Sequence, residues 1–158
     1  MTSPPKSVLR DELVALLRAE LDAASRSHLA SVAAATHEEA KPENDKDTRA
    51  LEQSYVARGQ AMRVRDLELA VSEVLGMPIR AFREGDPVAL SALVFADEGG
   101  VELKMFIAPH GGGHVVAGGV QVVTPKSPLG RALVGKCRGE ECEVVVNRRR
   151  EIEIVRVE

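Results

Sequence analysis

The chain has no tryptophan, one tyrosine and three phenylalanines, so aromatic residues fill only 3% of its 158 positions. Nucleobases therefore find little surface on which to stack. The net charge is −3, from 21 lysines and arginines against 24 acids, and it provides no broad field for a phosphate backbone. Direct nucleic-acid binding is disfavoured. No apolar stretch approaches the roughly 20 residues needed to cross a bilayer, and the opening Met1-Thr2-Ser3-Pro4-Pro5 lacks the apolar centre of a signal peptide. A cytoplasmic protein with no membrane partner is expected. Cys137 and Cys142 are too few for a disulfide framework, and their spacing matches no standard paired-thiolate motif for zinc. They are expected to be reduced and structural.

What the chain does contain is aliphatic: 44% of residues are hydrophobic, enough for one medium domain or two small ones with a modest core. The pattern changes at Gly76-Met77-Pro78, where glycine supplies a helix C-cap and proline forbids continuation. Residues 1–77 read as helical and residues 78–158 as β-rich, which makes the fold class α+β.

Within the first part, Leu13, Leu17, Leu21, Ala24, His28, Val32 and Ala35 recur every three or four positions, predicting a helix over residues 6–39. Ala50, Ala57, Ala61, Val64, Leu67, Val71 and Val74 make a matching stripe over residues 48–75. Two stripes of similar length joined by a short polar loop predict an antiparallel coiled-coil hairpin. Leucine and valine dominate one end of the stripe, and alanine and serine the end near the loop. Small side chains let helices pack closely, so the loop end should be thin.

The loop, residues 38–47, holds five acids against two lysines. Pro42 ends the first helix, and Asn44, Asp45 or Asp47 can cap the start of the second. Acids at that start also interact favourably with the helix dipole, by about 0.3–1 kcal/mol. Capping leaves Glu38, Glu39 and Glu43 unexplained. Carboxylates carried on a rod tip could orient a hard cation such as Mg²⁺, but only as half of a site completed by a partner.

The second part contains five β-type runs, at residues 88–95, 101–107, 114–123, 143–146 and 151–157, with glycine turns at Gly99-Gly100 and Gly111-Gly112-Gly113. Ser127 and Pro128 open a short helix as N-cap and first residue, ending near Gly135. Eleven basic residues balance eleven acidic ones between positions 78 and 158, as suits a docking module more than a phosphate reader. Arg148-Arg149-Arg150 reads as a solvated basic turn between the last two strands. His110 and His114 flank three glycines, which rule out a shared helical face, and no third metal ligand is evident nearby.

The segment Val122-Val123-Thr124-Pro125-Lys126-Ser127-Pro128-Leu129-Gly130-Arg131-Ala132-Leu133-Val134-Gly135-Lys136, followed by an acidic stretch and two closing strands, resembles the C-terminal domain of the Gre-type transcript cleavage factors (GreA/GreB). The hairpin is similar in layout, and Lys41-Pro42-Glu43-Asn44 with Arg49-Ala50-Leu51-Glu52-Gln53 can be laid over the family's tip. The resemblance implies an FKBP-like fold for residues 78–158. It also implies docking of that domain on bacterial RNA polymerase at the rim of the secondary channel, with Ser127, Pro128, Leu129, Arg131 and Lys136 as candidate contacts.

In such factors the arm reaches the catalytic centre, where tip acids help hold a polymerase Mg²⁺ against the extruded 3′ end of backtracked RNA, and two-metal hydrolysis follows. Glu39, Glu43 and Asp45 would be those acids. The chain would be no enzyme itself, would have no cofactor of its own, would use the Mg²⁺ of RNA polymerase, and would meet nascent RNA within the complex and DNA only indirectly. Glu43 falls on the family's glutamate, whereas its aspartate position falls on Ala40, which cannot ligate a metal. Two activities remain open: cleavage stimulation from a shifted register, or regulation of transcription from the secondary channel without cleavage.

Overall fold

The computed structural model describes residues 2–39 and 48–158, the side chains of residues 37–39 excepted. Helix α1 spans Lys6–Glu39 and α2 spans Thr48–Leu75. Pro4 and Pro5 cannot lie inside a helix, and the Pro5 carbonyl instead accepts the first helical hydrogen bonds, from the amides of Val8 (2.9 Å) and Leu9 (3.2 Å). α2 stops where Pro78 forbids continuation, its last turn closed by the Gly76 amide on the Ser72 carbonyl at 2.9 Å.

Contacts divide the chain into two compact units: Leu16–Val71, and Met1–Ala15 together with Ser72–Glu158. In the first unit the helices run antiparallel. Arg63 pairs with Glu20 at 3.2 Å, Gln60 donates to Ser27 at 3.1 Å, and Ser31 and Ala34 share a groove with Glu52 and Val56. Leu17, Leu67 and Ala70 are buried, whereas no described side chain between residues 18 and 66 is. Alanine and serine keep the hairpin slender, and slenderness leaves nothing to bury.

The second unit is built on one six-stranded sheet, in the order β3-β4-β2-β1-β6-β5, with β1 Leu93–Glu98, β2 Val101–Ile107, β3 Val115–Val116, β4 Val120–Val123, β5 Glu141–Val146 and β6 Arg148–Val157. Only β2 and β4 are parallel; the other neighbours are antiparallel. The short helix α3, Pro128–Leu133, covers one face, and Leu133 joins Val94, Ala96, Met105, Ile107, Cys142, Val144, Ile152 and Ile154 in the core. The helix ends of this unit are buried as well, through Leu9, Leu13 and Val74. Gly111 sits so close to Leu13 that a Cβ there would lie 2.5 Å from its Cδ1.

The fold class is α+β, and the two long helices occupy the residues that periodicity predicts. Three local expectations are corrected. The run at 88–95 is a strand only from Leu93, because Ser91 adopts a left-handed φ of +68° and its buried hydroxyl accepts the Arg80 amide at 2.9 Å. The run at 114–123 is two antiparallel strands, broken by Gly118 at φ +74°. Arg148, Arg149 and Arg150 lie in β6 and not in a turn; Asn147 alone reverses the chain, at φ +62°. Apolar alternation reports burial and carries no mark of where the backbone inverts.

Candidate functional site

The segment leading into α3 is tied to itself through two atoms. The Ser127 hydroxyl accepts the Gly130 amide at 3.0 Å and donates to the Thr124 carbonyl at 2.8 Å, while the Ser127 amide donates to that same carbonyl at 3.1 Å. Serine caps the helix, proline follows at its first position, and the capping hydroxyl also holds the chain leaving β4. Gly130 completes the arrangement: a Cβ there would stand 1.8 Å from the Thr124 oxygen, so only glycine lets the helix lie directly on that backbone. Beyond α3, the Gly135 amide bonds the Val88 carbonyl and the Val88 amide bonds the Lys136 carbonyl, both at 2.8 Å.

A cleft of about 750 Å³ opens beside this segment. Its walls are Gly112 and Gly113, the β4 residues Gln121, Val122, Val123 and Thr124, then Ser127, Pro128 and Leu129, and on the far side Val144, Val146, Asn147, Arg148 and Arg150. The volume is that of a ligand or peptide pocket. No lining residue is a carboxylate, histidine or cysteine, so the cleft has no general base and no activated nucleophile.

Its electrostatics are set by β6. Arg150 makes a two-pronged pair with Glu98, Nε to Oε1 and Nη2 to Oε2 both at 2.7 Å. That hydrogen bonding holds the Glu98 carboxyl below the usual carboxylate range and raises the Arg150 guanidinium. Arg149 pairs with Glu143 at 3.0 Å and Glu151 at 3.5 Å. Arg148 makes no hydrogen bond or ion pair among the described residues.

Of the residues expected to contact a partner, Ser127, Pro128 and Leu129 line the cleft. Arg131 is exposed on α3 and Lys136 half-buried after it, and neither lines the cleft. Glu39 is the last residue of α1, with its side chain outside the described set; Glu43 and Asp45 fall outside the described residues. The lining by Val144, Val146, Asn147, Arg148 and Arg150 escapes sequence reading. Alternation in β5 marks Cys142, Val144 and Val146 as one face, but only the pairing of Val144 with Arg150 and Val146 with Arg148 brings the arginines to it. In the two-histidine loop, His110 Nε2 meets Glu73 Oε2 at 2.5 Å, and among the described residues no three His, Cys, Asp or Glu side chains are grouped to hold a metal.

No family model and no curated protein matches the chain. Solved structures do. The Thermus thermophilus GreA factor homolog 1 (Gfh1) aligns at 16% identity and TM-score 0.41, covering 92% of this chain and 94% of its own. Thermus aquaticus Gfh1 aligns at 18% and 0.41, covering 89% and 90% respectively. A prokaryotic transcription elongation factor GreA/GreB from Nitrosomonas europaea aligns at 18% and 0.37, covering 58% of this chain and 78% of its own. No residue role in this chain follows from likenesses of that size.

Proposed function

We propose that this chain is a Gre-type factor acting within bacterial RNA polymerase, docked through the cleft beside α3 and presenting its acidic loop to the catalytic centre. The observation that carries the reading is local: Thr124, Ser127, Pro128 and Leu129, from the segment on which the resemblance rests, line one side of a cleft, and that segment is fastened by Ser127 and Gly130. A cleft without catalytic groups, and two long helices with five acids in residues 38–47 at their junction along the chain, suit a protein that lends carboxylates to another enzyme's site.

In this reading the polymerase's own Mg²⁺ supplies the Lewis acid and the activated water. Glu39, Glu43 and Asp45 orient that ion and water toward the scissile phosphodiester of backtracked RNA. Hydrolysis is then a polymerase reaction that this chain stimulates. Ala40, standing where the resemblance places an aspartate, favours a second reading: the same docking and insertion, with transcription inhibited or redirected and no RNA cut.

One experiment separates them. The purified chain is added with Mg²⁺ to backtracked elongation complexes carrying labelled RNA. Shortened transcripts that re-extend on addition of nucleotides establish cleavage stimulation, and Glu43→Ala together with Asp45→Ala should abolish it. Unshortened transcripts with altered synthesis establish the second reading. Failure to bind polymerase at all removes both.

A further inference from the structure

The hairpin leaves an apolar stripe mostly in water. On α2, Leu51, Tyr55, Met62 and Leu69 are each between 53% and 64% exposed. At 3.6 residues per turn all four fall within about 40° of one another, in a line about 27 Å long. Gln60, which bonds Ser27 of α1, lies on the opposite side, so the stripe points away from the helix with which α2 pairs. Exposed aliphatic residues scattered singly are ordinary, but four in one line make the seam of a coiled coil. Arg58 and Arg65 fill the two seam positions between them, which gives Leu51, Tyr55, Arg58, Met62, Arg65 and Leu69 at alternating steps of four and three. Both arginines are exposed, and neither makes a hydrogen bond or ion pair among the described residues.

The order of these residues selects what covers them. Two copies of the stripe laid antiparallel about a two-fold axis level with Gln60 match each residue to its counterpart from the other end. Leu51 then meets the partner's Leu69, Tyr55 the partner's Arg65 and Arg58 the partner's Met62, and each contact is made twice. Leucine against leucine excludes water. A guanidinium over the tyrosine ring is a cation–π pair, and the arginine stem packs along methionine while its charge stays at the rim. Glu52 and the partner's Asp66 fall side by side on the flank, each within a turn of the residue that an arginine of the other copy faces. A parallel pair would instead set Arg58 against Arg58 and Arg65 against Arg65, which like-charge repulsion opposes.

We propose that this chain self-associates through the outer face of α2, as an antiparallel two-fold dimer with Leu51, Tyr55, Arg58, Met62, Arg65 and Leu69 at its seam. The dimer itself is independent of the reading above. Its consequence rests on that reading: a hairpin paired along α2 is held out of RNA polymerase, so the dimer is a stored form and dilution releases the active chain.

The test uses the full-length chain. Its sedimentation should move from monomer to dimer between about 1 and about 300 µM, as suits an interface at the small end of the range. Met62→Lys, which sets a lysine against the partner's Arg58, should weaken the dimer at least about tenfold, whereas Met62→Glu, facing the same arginine, should keep its strength within about threefold. A contact made by apolar area alone would suffer from both. Unchanged helical ellipticity certifies that the variants are folded. In a Cys137→Ser background, mild oxidation should join Leu51→Cys chains to Leu69→Cys chains and leave Leu51→Cys chains alone unjoined. A chain that stays monomeric throughout, equal losses from Met62→Lys and Met62→Glu, or a disulfide between two Leu51→Cys chains overturns the inference. The stored form is tested by adding the disulfide-locked pair to backtracked elongation complexes, where it should lack an effect on transcription that reduction restores. An effect that survives locking overturns that role. If the reduced chain has no effect either, the polymerase reading fails, and sedimentation and cross-linking still decide the dimer.

Discussion

At Gly130 a single methyl group would collide with the chain on which the helix rests. The obstacle is the Thr124 carbonyl, a backbone atom that cannot swing aside, and the same oxygen holds the Ser127 hydroxyl and amide. Gly130→Ala should therefore cost about 3 kcal/mol or more, read as a lowered midpoint in denaturant, and should detach α3 from β4. The pair between Glu98 and Arg150 makes a different claim. Because Glu98 titrates below the usual carboxylate range, its contribution is present above the ordinary unfolded-state value and is lost as pH falls through the depressed one. Glu98→Gln should lower the melting temperature at neutral pH, and the gap between variant and wild type should close in strong acid. Both cysteines are free, and burial pushes the Cys142 thiol up. A thiol reagent should label partly exposed Cys137 first and Cys142 only on unfolding.

Among the elements, the two long helices are the least supported by packing. Between residues 18 and 66 every described apolar side chain keeps part of its surface in water, so the loop-ward part of the hairpin depends on helix propensity and on pairs such as Arg63 with Glu20. Gly59 lies within α2, and a Cβ there would meet nothing within 4 Å. Gly59→Ala should therefore stabilise the hairpin by about 1 kcal/mol, slowing amide exchange in the surrounding turns about fivefold where exchange proceeds by local opening. Unchanged exchange would mean that those turns open by some route that helix propensity does not govern. β5 and β6 behave oppositely. Their register carries buried Cys142, Val144, Ile152 and Ile154 on one face, so a slip of one residue would expose the whole set.

For the whole molecule, the compact units cut across both long helices. Leu9, Leu13 and Val74 are fully buried within the unit that holds the sheet, although they belong to α1 and α2. Residues 1–15 joined by a short linker to residues 72–158 should therefore unfold cooperatively with most of that unit's stability. A fragment of residues 78–158 should be markedly weaker, since it forfeits three fully buried aliphatic side chains at about 2 kcal/mol each or more. Calorimetry on the two fragments decides this, and equal melting temperatures would refute it.

What the amino-acid sequence determined by itself was whatever depends on neighbours along the chain. Both helices were legible from a stripe recurring every three or four residues, and the end of the second from Gly76 and Pro78. The α3 cap was legible in Ser127 and Pro128, and the acidity of the loop in its composition. What only the tertiary structure decided was whatever depends on strands meeting across the sheet. The turn at Asn147 put three arginines into β6, and its pairing with β5 carried Arg148 beside Val146 and into a cleft whose other wall is α3. The demand for glycine at position 130 comes from a helix lying on a backbone carbonyl. Periodicity records which side of an element is apolar. It does not record which other element, brought close by folding, that side will face.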